Sequence, residues 1–389
     1  FTSNAPPHLK SRVPRVEDTN IGQQWFVGDK PLGCVAGAGI GMIPEVFWDP
    51  YVAGVSTRTD RMEDLNFFSD GKKGMFHPTD PVLRIKDQDA DGIEGEVLYG
   101  VLALAGGRES SHENEGPVFV GGDEPSGSGY GIHDPEVILS VFNTYNEYIA
   151  NFCKSNPERL AALACLFSRD PKEAASQVDR AASLGLKGFE LNVGATLEPI
   201  YLQEWDPLWS AVNDSGLPIS FHTVGLGVQL PQKKGTKFDR SVLSSISLTV
   251  FQLSGAEYLS SIILSGACER YPDMKFVLGE CGIGWIPYVL YRMDDEAGRW
   301  MTPENKLKLK PSEYWKRQGY STFQIEYLTN EMVDMVGEGN ILWGSDYPHP
   351  DCVWPDSRKV IDENLSHLDN SKLKKIVCDN TAKLYGFRR

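Results

Sequence analysis

The sequence lacks three features that would direct it to a secreted, membrane or nucleic-acid-binding class. Its seven cysteines are scattered, odd in number and without a Cys-x-x-Cys pair, which excludes a disulfide framework and indicates a reducing compartment. It has no apolar run of about 18 residues and no signal-like N-terminus, so we expect a soluble, cytoplasmic protein. It also has no Lys/Arg-rich block, and its formal net charge of −15 argues against nucleic acid and anionic membranes as partners.

The composition provides instead for a large buried core. Hydrophobic residues make up 41% of the 389 residues, and nine residues are tryptophan. This length is long for one average domain but ordinary for a barrel with insertions. We therefore expect one domain over residues 1–389 that acts on a small-molecule substrate, with a homodimer left open.

Short apolar runs alternate with longer amphipathic stretches from residue 95 onward, as in parallel sheets that helices cover on both faces. Six of these runs are predicted strands: Glu96–Leu104, Leu160–Phe167, Gly188–Val193, Pro218–Thr223, Lys275–Glu280 and Ile341–Ser345. The stretches between them are predicted helices, one of which covers about Ser241–Arg270, and a weakly marked seventh strand lies within Gly319–Tyr327. The pattern predicts an α/β fold, a (β/α)8 TIM barrel. Because the chain begins at Phe1 rather than Met, we expect the first barrel strand upstream of residue 1.

Two segments depart from this alternation and are rich in Gly, Pro and Asp. They are Asn20–Ala90 and Gly106–Gly131. Connections of this length in a compact domain usually form lids or binding insertions. We therefore expect both segments to lie over the mouth of the barrel, at the carboxyl ends of its strands.

Four side chains suited to metal binding or acid–base chemistry lie at the carboxyl ends of predicted strands, where barrel enzymes carry out their reactions. They are His222, Glu280, Asp346 and His349. Two imidazoles and two carboxylates suit zinc, manganese or iron. Each also has an ordinary alternative, since His222 could belong to the core, Glu280 could cap the following helix and Asp346 could fix a turn. Their convergence on one face of the barrel favours the metal site.

Four stretches of the chain carry a family resemblance. They read "LRIKDQDADGIEGEVLYGVL" (83–102), "FHTVG" (221–225), "YPDMKFVLGECGIGWIPYVLYRMDD" (271–295) and "NILWGSDYPHPDCVWPDSR" with "NTAKLYGF" (340–358 and 380–387). Together they resemble the amidohydrolase-related family of TIM-barrel metal enzymes, which includes the aminocarboxymuconate-semialdehyde decarboxylase type, over nearly the whole chain. The resemblance implies that His222 is the metal ligand of the fifth strand. It also implies that Asp346 is the eighth-strand aspartate that binds metal and handles a proton.

Two features depart from the pattern of that family. Its members open with a first strand that bears Asp-x-His or His-x-His, and because this chain has no such motif we expect the pair upstream of Phe1. The second departure is Glu280, which occupies the position where the decarboxylases of the family carry a catalytic histidine. This exchange makes the site richer in carboxylates and favours a reaction other than decarboxylation.

The resemblance implies one or two divalent metal ions per subunit, zinc, iron or manganese, and three candidate reactions. We expect hydrolysis of an amide, ester or thioester bond of a small organic acid or acyl substrate, with metal-activated water as the nucleophile. The catalytic candidates are Asp346 and Glu280, which would move the proton of that water. The alternatives are a diiron monooxygenase acting on acyl-thioester (CoA-linked) substrates and a non-oxidative decarboxylase of an aromatic or unsaturated carboxylic acid.

Overall fold

The computed structural model describes residues 1–20, 22–34, 61–100, 134–193, 196–223, 246, 249–348 and 352–388. The strands in these ranges are β1 to β10: Arg15–Thr19, Gly22–Val27, Lys30–Cys34, Glu96–Leu98, Leu160–Cys165, Gly188–Glu190, Ile219–His222, Phe276–Gly279, Gly319–Phe323 and Ile341–Trp343. The α-helices are α1 to α13: Phe67–Lys72, Pro81–Asp91, Pro135–Cys153, Pro171–Ser183, Asp206–Ser215, Ser254–Leu264, Ala267–Arg270, Ile286–Trp300, Pro311–Gln318, Asn330–Val336, Ser357–Leu365, Asn370–Lys374 and Asn380–Tyr385. None of these helices is long and apolar enough to cross a lipid bilayer.

Seven strands, β4 to β10, form one parallel sheet in which each strand pairs with the next one along the chain. Leu163 of β5 lies opposite Gly188 of β6, and Ile219 of β7 lies opposite Phe276 of β8. Parallel neighbours need a crossover connection, and helices supply it between consecutive strands of this sheet. This is the α/β architecture of a (β/α)8 TIM barrel, so the predicted fold class is confirmed. The weakly marked seventh run is β9.

A row of aromatic side chains fills the space between the sheet and its outer helices. Trp209 of α5 meets Phe221 of β7 edge-on with ring centroids 6.1 Å apart, and Phe221 lies 6.4 Å from Phe276 of β8. Phe276 in turn meets Trp315 of α9 at 6.0 Å. All four side chains are fully buried, and each removes about 150–250 Å² from water. This layer therefore fixes the helices on β7 and β8.

Aspartate side chains, each followed by proline, cap the starts of three helices. The side chains of Asp80, Asp134 and Asp170 each accept hydrogen bonds from two backbone N–H groups at the starts of α2, α3 and α4. The prediction of one long helix over Ser241–Arg270 is wrong in its described part, because Gly266 separates α6 from α7. Gly266 has a φ of +78°, a left-handed conformation that ends a right-handed helix and that glycine adopts without strain.

The first three strands form a separate antiparallel sheet that the sequence analysis does not predict. Gly28 and Asp29 alone connect β2 to β3, and Gly28 has a φ of +58°. A two-residue connection of this kind suits a tight hairpin because glycine tolerates the left-handed backbone. The turn signal was therefore present in "VGDK", but the flanking strands show no regular alternation of apolar and polar side chains.

The described part of the predicted insertion Asn20–Ala90 packs on the segment that follows the last barrel strand. Its contact is a buried apolar cluster of four side chains: Met62, Phe67, Cys352 and Trp354. The chain leaves β10 at the carboxyl edge of the sheet, and residues 352–354 belong to the segment that follows. The other insertion, Gly106–Gly131, lies outside the described residues, and the placement of both over the barrel mouth stays a prediction.

The C-terminal helices pack on the barrel through buried apolar side chains that include Leu365, Leu368 and Ile376, and Asn380 and Tyr385 add two further contacts. Apolar residues at helical spacing predict a structural role for the segment 357–387, with Asn380 fixing a turn through its side chain. The Asn380 Nδ2 donates to the carbonyl oxygens of Glu338 and Ile341 at 2.7 and 2.8 Å, which confirms that turn at the start of β10. Tyr385, at the end of α13, is buried in a cluster with Leu163 and other strand side chains.

We predict that Asn380→Ala lowers the free energy of unfolding by about 1–3 kcal/mol, because two backbone carbonyl groups lose their donor at once. Urea unfolding followed by circular dichroism measures the change. The control is Asn305→Ala, since the exposed Asn305 amide donates only to the Thr302 hydroxyl at 3.4 Å and its loss should cost less than about 0.5 kcal/mol. Equal losses for the two variants would contradict the prediction.

Candidate functional site

His222 and Glu280 meet at the carboxyl ends of neighbouring strands. His222 is the last residue of β7 and lies opposite Gly279, the last residue of β8, so Glu280 follows directly at the same edge. The Nε2 of His222 lies 3.2 Å from the Oε2 of Glu280. Both side chains are partly exposed, by 23% and 12%, so a small molecule can reach them. The structure thus brings together two of the four residues that the strand ends indicate.

The hydrogen bonding of His222 fixes which ring nitrogen carries a lone pair. Its Nδ1 lies 2.6 Å from the carbonyl oxygen of Thr223, and because a carbonyl can only accept, Nδ1 donates. In the neutral ring, Nε2 is then an acceptor, and it faces a carboxylate that is also an acceptor. Their contact is favourable only when a proton or a cation lies between them. The contact is therefore that of an imidazole and a carboxylate that share a proton or a cation.

Each of the two candidate catalytic carboxylates has a left-handed backbone after its strand, Glu280 directly after β8 and Asp346 three residues after β10. Glu280 has a φ of +55° and Asp346 a φ of +61°. Such conformations cost non-glycine residues about 1–3 kcal/mol and persist where the surroundings impose them, often at functional sites. At Glu280 the surroundings include Thr322 of β9. The Oγ1 of Thr322 accepts a hydrogen bond from the backbone N–H of Glu280 at 2.6 Å, and its carbonyl oxygen accepts one from the N–H of Gly282 at 3.0 Å.

Asp346 lies three residues beyond the end of β10, in a loop that forms hydrogen bonds within itself. The N–H of Val353 donates to the Ser345 carbonyl at 3.0 Å, and the N–H of Tyr347 approaches the Ser345 hydroxyl at 3.3 Å. His349 lies outside the described residues. Within the described residues, no three His, Cys, Asp or Glu side chains cluster closely enough to hold a metal ion. The four-residue ligand set therefore stays a prediction.

Besides Glu280, Glu190 is a carboxylate near His222, one that the sequence analysis does not single out. It is the last residue of β6, is only 2% exposed, and its Oε2 accepts the Gly100 N–H at 2.7 Å. Burial raises the pKa of Glu190 above its ordinary value, and the charge of His222 partly offsets this rise in pKa. The signal was present in "GFE", an apolar strand that ends in a carboxylate.

Tyr99 supplies an aromatic wall beside the imidazole. Its ring centroid lies 5.1 Å from that of His222, and its hydroxyl lies 2.9 Å from the Ser220 hydroxyl. A Cβ on Gly279 would lie only 2.9 Å from the Tyr99 ring, so the tyrosine fits because that position is glycine. Burial raises the pKa of Tyr99, which therefore keeps its proton and acts as a neutral hydrogen-bonding group.

The chain matches one protein-family model, described as Amidohydrolase, over residues 112–387. Among curated proteins it is similar to gamma-resorcylate decarboxylase of Polaromonas sp. (strain JS666), with 25% identity over 256 residues. That match covers 63% of this chain and 76% of the relative.

Two solved structures show the same fold. One is a dihydroxybenzoic acid decarboxylase from Polaromonas sp. JS666 with bound manganese and the inhibitor 2-nitroresorcinol; its TM-score is 0.58 at 20% identity, and the match covers 79% of this chain and 86% of that one. The other is an amidohydrolase from Mycobacterium avium subsp. paratuberculosis K-10, whose TM-score is 0.68 at 18% identity over 99% of this chain and 95% of that one.

We predict that the stability of the protein falls with rising pH because of Glu190. Because the pKa of Glu190 is raised in the folded state, the folded protein binds its proton more tightly than the unfolded chain does. The stability that this proton contributes is complete below about pH 4.5, and it is lost as the pH rises from there past the raised pKa of the folded state. Glu190→Gln should remove that decline, which amounts to about 1.4 kcal/mol for each unit of raised pKa. Denaturant unfolding of both proteins between pH 4.5 and 8 measures it.

Glu257→Gln is the matched control, because this glutamate is exposed on α6 and its replacement removes no buried carboxyl. The stability difference between this variant and the wild type should stay nearly constant over the same pH range. A Glu190→Gln variant whose stability declines with pH as steeply as that of the wild type would contradict the prediction.

Proposed function

The chain belongs to the amidohydrolase family, and we propose that it is a metal-dependent enzyme that removes the carboxylate of an aromatic acid without oxidation. The sequence alone favours hydrolysis, because Glu280 replaces a decarboxylase histidine. The similar proteins favour decarboxylation, since those with a named reaction act on gamma-resorcylate or a dihydroxybenzoic acid. The structural observation that carries the proposal is the contact between His222 and Glu280 at the carboxyl edge of the barrel.

The donor atoms of this contact fit a divalent metal ion. Two ligands bound to one ion at about 2.0–2.2 Å lie roughly 3.0–3.4 Å apart, and the measured separation of Nε2 and Oε2 is 3.2 Å. We propose His222 and Glu280 as ligands, together with Asp346 and His349, and manganese as the first metal to test because a similar structure contains it. When bound, such an ion would polarise and hold the oxygen atoms of the substrate.

The chemistry of decarboxylation sets what the residues must do. The ring carbon that bears the carboxylate gains a proton, the bond to the carboxylate carbon breaks, and its electron pair returns to the ring as CO₂ leaves. A hydroxyl beside the carboxylate makes that ring carbon basic enough to accept the proton. The inhibitor of the similar decarboxylase, whose nitro group lies between two hydroxyls, supports a substrate of this pattern.

We assign delivery of the proton to Asp346, which the family resemblance identifies as the acid of the eighth strand. Tyr99 would stack against or border the aromatic ring of the substrate, beside His222. The carboxylate of Glu280 makes this end of the barrel negative, so it opposes an anionic substrate until positive charge is bound. We therefore expect binding of the carboxylate substrate to depend strictly on the metal.

The test uses the full-length protein with Mn²⁺ and gamma-resorcylate. We predict that the aromatic acid is consumed and CO₂ is released at equal rates with and without oxygen, and that chelation of the metal abolishes both. Liquid chromatography of the aromatic compounds and CO₂ trapping measure the reaction. Hydrolysis of ester and thioester substrates without loss of CO₂ would support the hydrolase instead, and O₂ uptake with an acyl thioester would support the diiron monooxygenase.

Replacement of Glu280 separates decarboxylation from hydrolysis. Glu280→His introduces the residue of the family's decarboxylases, so we predict that Mn²⁺-dependent decarboxylation is retained or increased. As a general base for hydrolysis, Glu280 would instead be irreplaceable, and the same variant would lower hydrolysis by about 10²-fold or more. Glu280→Gln keeps the shape without the charge and should reduce the bound Mn²⁺, which elemental analysis measures independently of activity.

A further inference from the structure

The residue that follows Asp346 is held on several sides by the N-terminal part of the chain. The hydroxyl of Tyr347 donates to the Oδ2 of Asp87 at 2.6 Å, across 260 residues of sequence. The guanidinium of Arg84 lies 4.9 Å from the centre of the Tyr347 ring. Trp354 meets the same ring edge-on at 5.1 Å. Asp87 and Arg84 both lie on α2. Neither they nor Tyr347 are among the catalytic residues assigned above.

Asp87 is itself fixed by a second buried group. Both of its carboxylate oxygens lie 2.9 Å from the Nδ1 of His77, and the two side chains are only 3% and 4% exposed. The other ring nitrogen of His77 lies 3.3 Å from the Oδ2 of Asp70. A buried carboxylate that is hydrogen-bonded on both sides has little freedom to move, so the Tyr347 hydroxyl is bound to a rigid acceptor.

Arg84 connects the same region to the barrel sheet. Its guanidinium forms an ion pair with Glu96, the first residue of β4, and its Nη1 donates to the carbonyl of Pro78 at 2.9 Å. The tyrosine ring therefore lies on a cation that is anchored to a barrel strand. Contacts from residues that precede β4 and from Trp354 together set the position and orientation of Tyr347.

We propose that Asp87 and His77 are positioning residues that hold Asp346 in its functional place through Tyr347. The proposal rests on the function assigned above to Asp346. Asp346 has a left-handed backbone, and an uncommon conformation of this kind persists only when adjacent residues are fixed. Tyr347 is its direct neighbour, and the Asp87–Tyr347 hydrogen bond fixes that neighbour from outside the loop.

A second buried aspartate on the same helix provides the matched control. Asp91 lies one turn after Asp87 on α2 and accepts hydrogen bonds from the N–H of Ser357, at 2.8 Å, and from its hydroxyl. Ser357 begins α11, ten residues after Tyr347 along the chain. Tyr347→Phe and Ser357→Ala therefore each remove one hydroxyl that donates to a buried aspartate of α2, but only the first lies beside Asp346.

The experiment titrates the full-length wild type and both variants with Mn²⁺, followed by the electron paramagnetic resonance signal of the free ion. Supporting partners of metal ligands typically contribute about 10–100-fold to affinity, so we expect Tyr347→Phe to raise the Kd for Mn²⁺ about tenfold or more. The kcat for gamma-resorcylate should fall at saturating Mn²⁺ with little change in KM. Ser357→Ala should leave the Kd and kcat within about twofold of wild type, because it is independent of the site. Both variants should lower Tm to a similar extent.

Two replacements of Asp87, one conservative and one not, provide a second test. Asp87→Asn keeps an oxygen that can accept the Tyr347 hydroxyl, so it should retain more Mn²⁺ affinity than Asp87→Leu. Equal effects of Tyr347→Phe and Ser357→Ala on the Kd, or no effect of Tyr347→Phe, would overturn the positioning role. Mn²⁺ binding by a wild type that releases no CO₂ would refute the proposed reaction alone, whereas a wild type that binds no Mn²⁺ would refute both.

Discussion

The parallel pairing of β7 with β8 is the constraint on which the candidate site depends. It sets His222 opposite Gly279, so the next residue along the chain, Glu280, arrives beside the imidazole as soon as the chain leaves the strand. The same pairing leaves a gap where Gly279 has no side chain, and Tyr99 fills it. A shift of β8 by one residue would turn its inward side chains outward and separate the two charged groups.

The sequence predicts the barrel well because parallel strands covered on both faces are short apolar runs that stand out from amphipathic helices. It predicts His222 and Glu280 because a charged side chain that closes such a run is unusual. Glu190 satisfies the same criterion, but the predicted strand continued to Val193 and placed the glutamate in its middle, whereas the real strand ends at Glu190. Tyr99 lies beside the site because Gly279 has no side chain. The two residues are far apart in the sequence, so no local sequence pattern predicts this contact.

The family resemblance implies that Glu280 occupies the position of a histidine in the decarboxylases, and such a change would alter the electrostatics of the site without altering the fold. A glutamate at this position gives the end of the barrel more negative charge than an imidazole would. Members of one fold family differ in reaction through such few residues, because the scaffold only fixes where side chains meet.

The hydrogen bond between Asp87 and Tyr347 also has a consequence for how the protein is made. It joins residues separated by 260 positions, so it cannot form until Tyr347 has left the ribosome. Contacts of such long sequence separation carry a large loop-closure entropy and form late in folding. The central strands can associate while synthesis continues, because each pairs with its neighbour in sequence. The loop that bears Asp346 acquires this support only after β10 has been made, later than the central strands can pair.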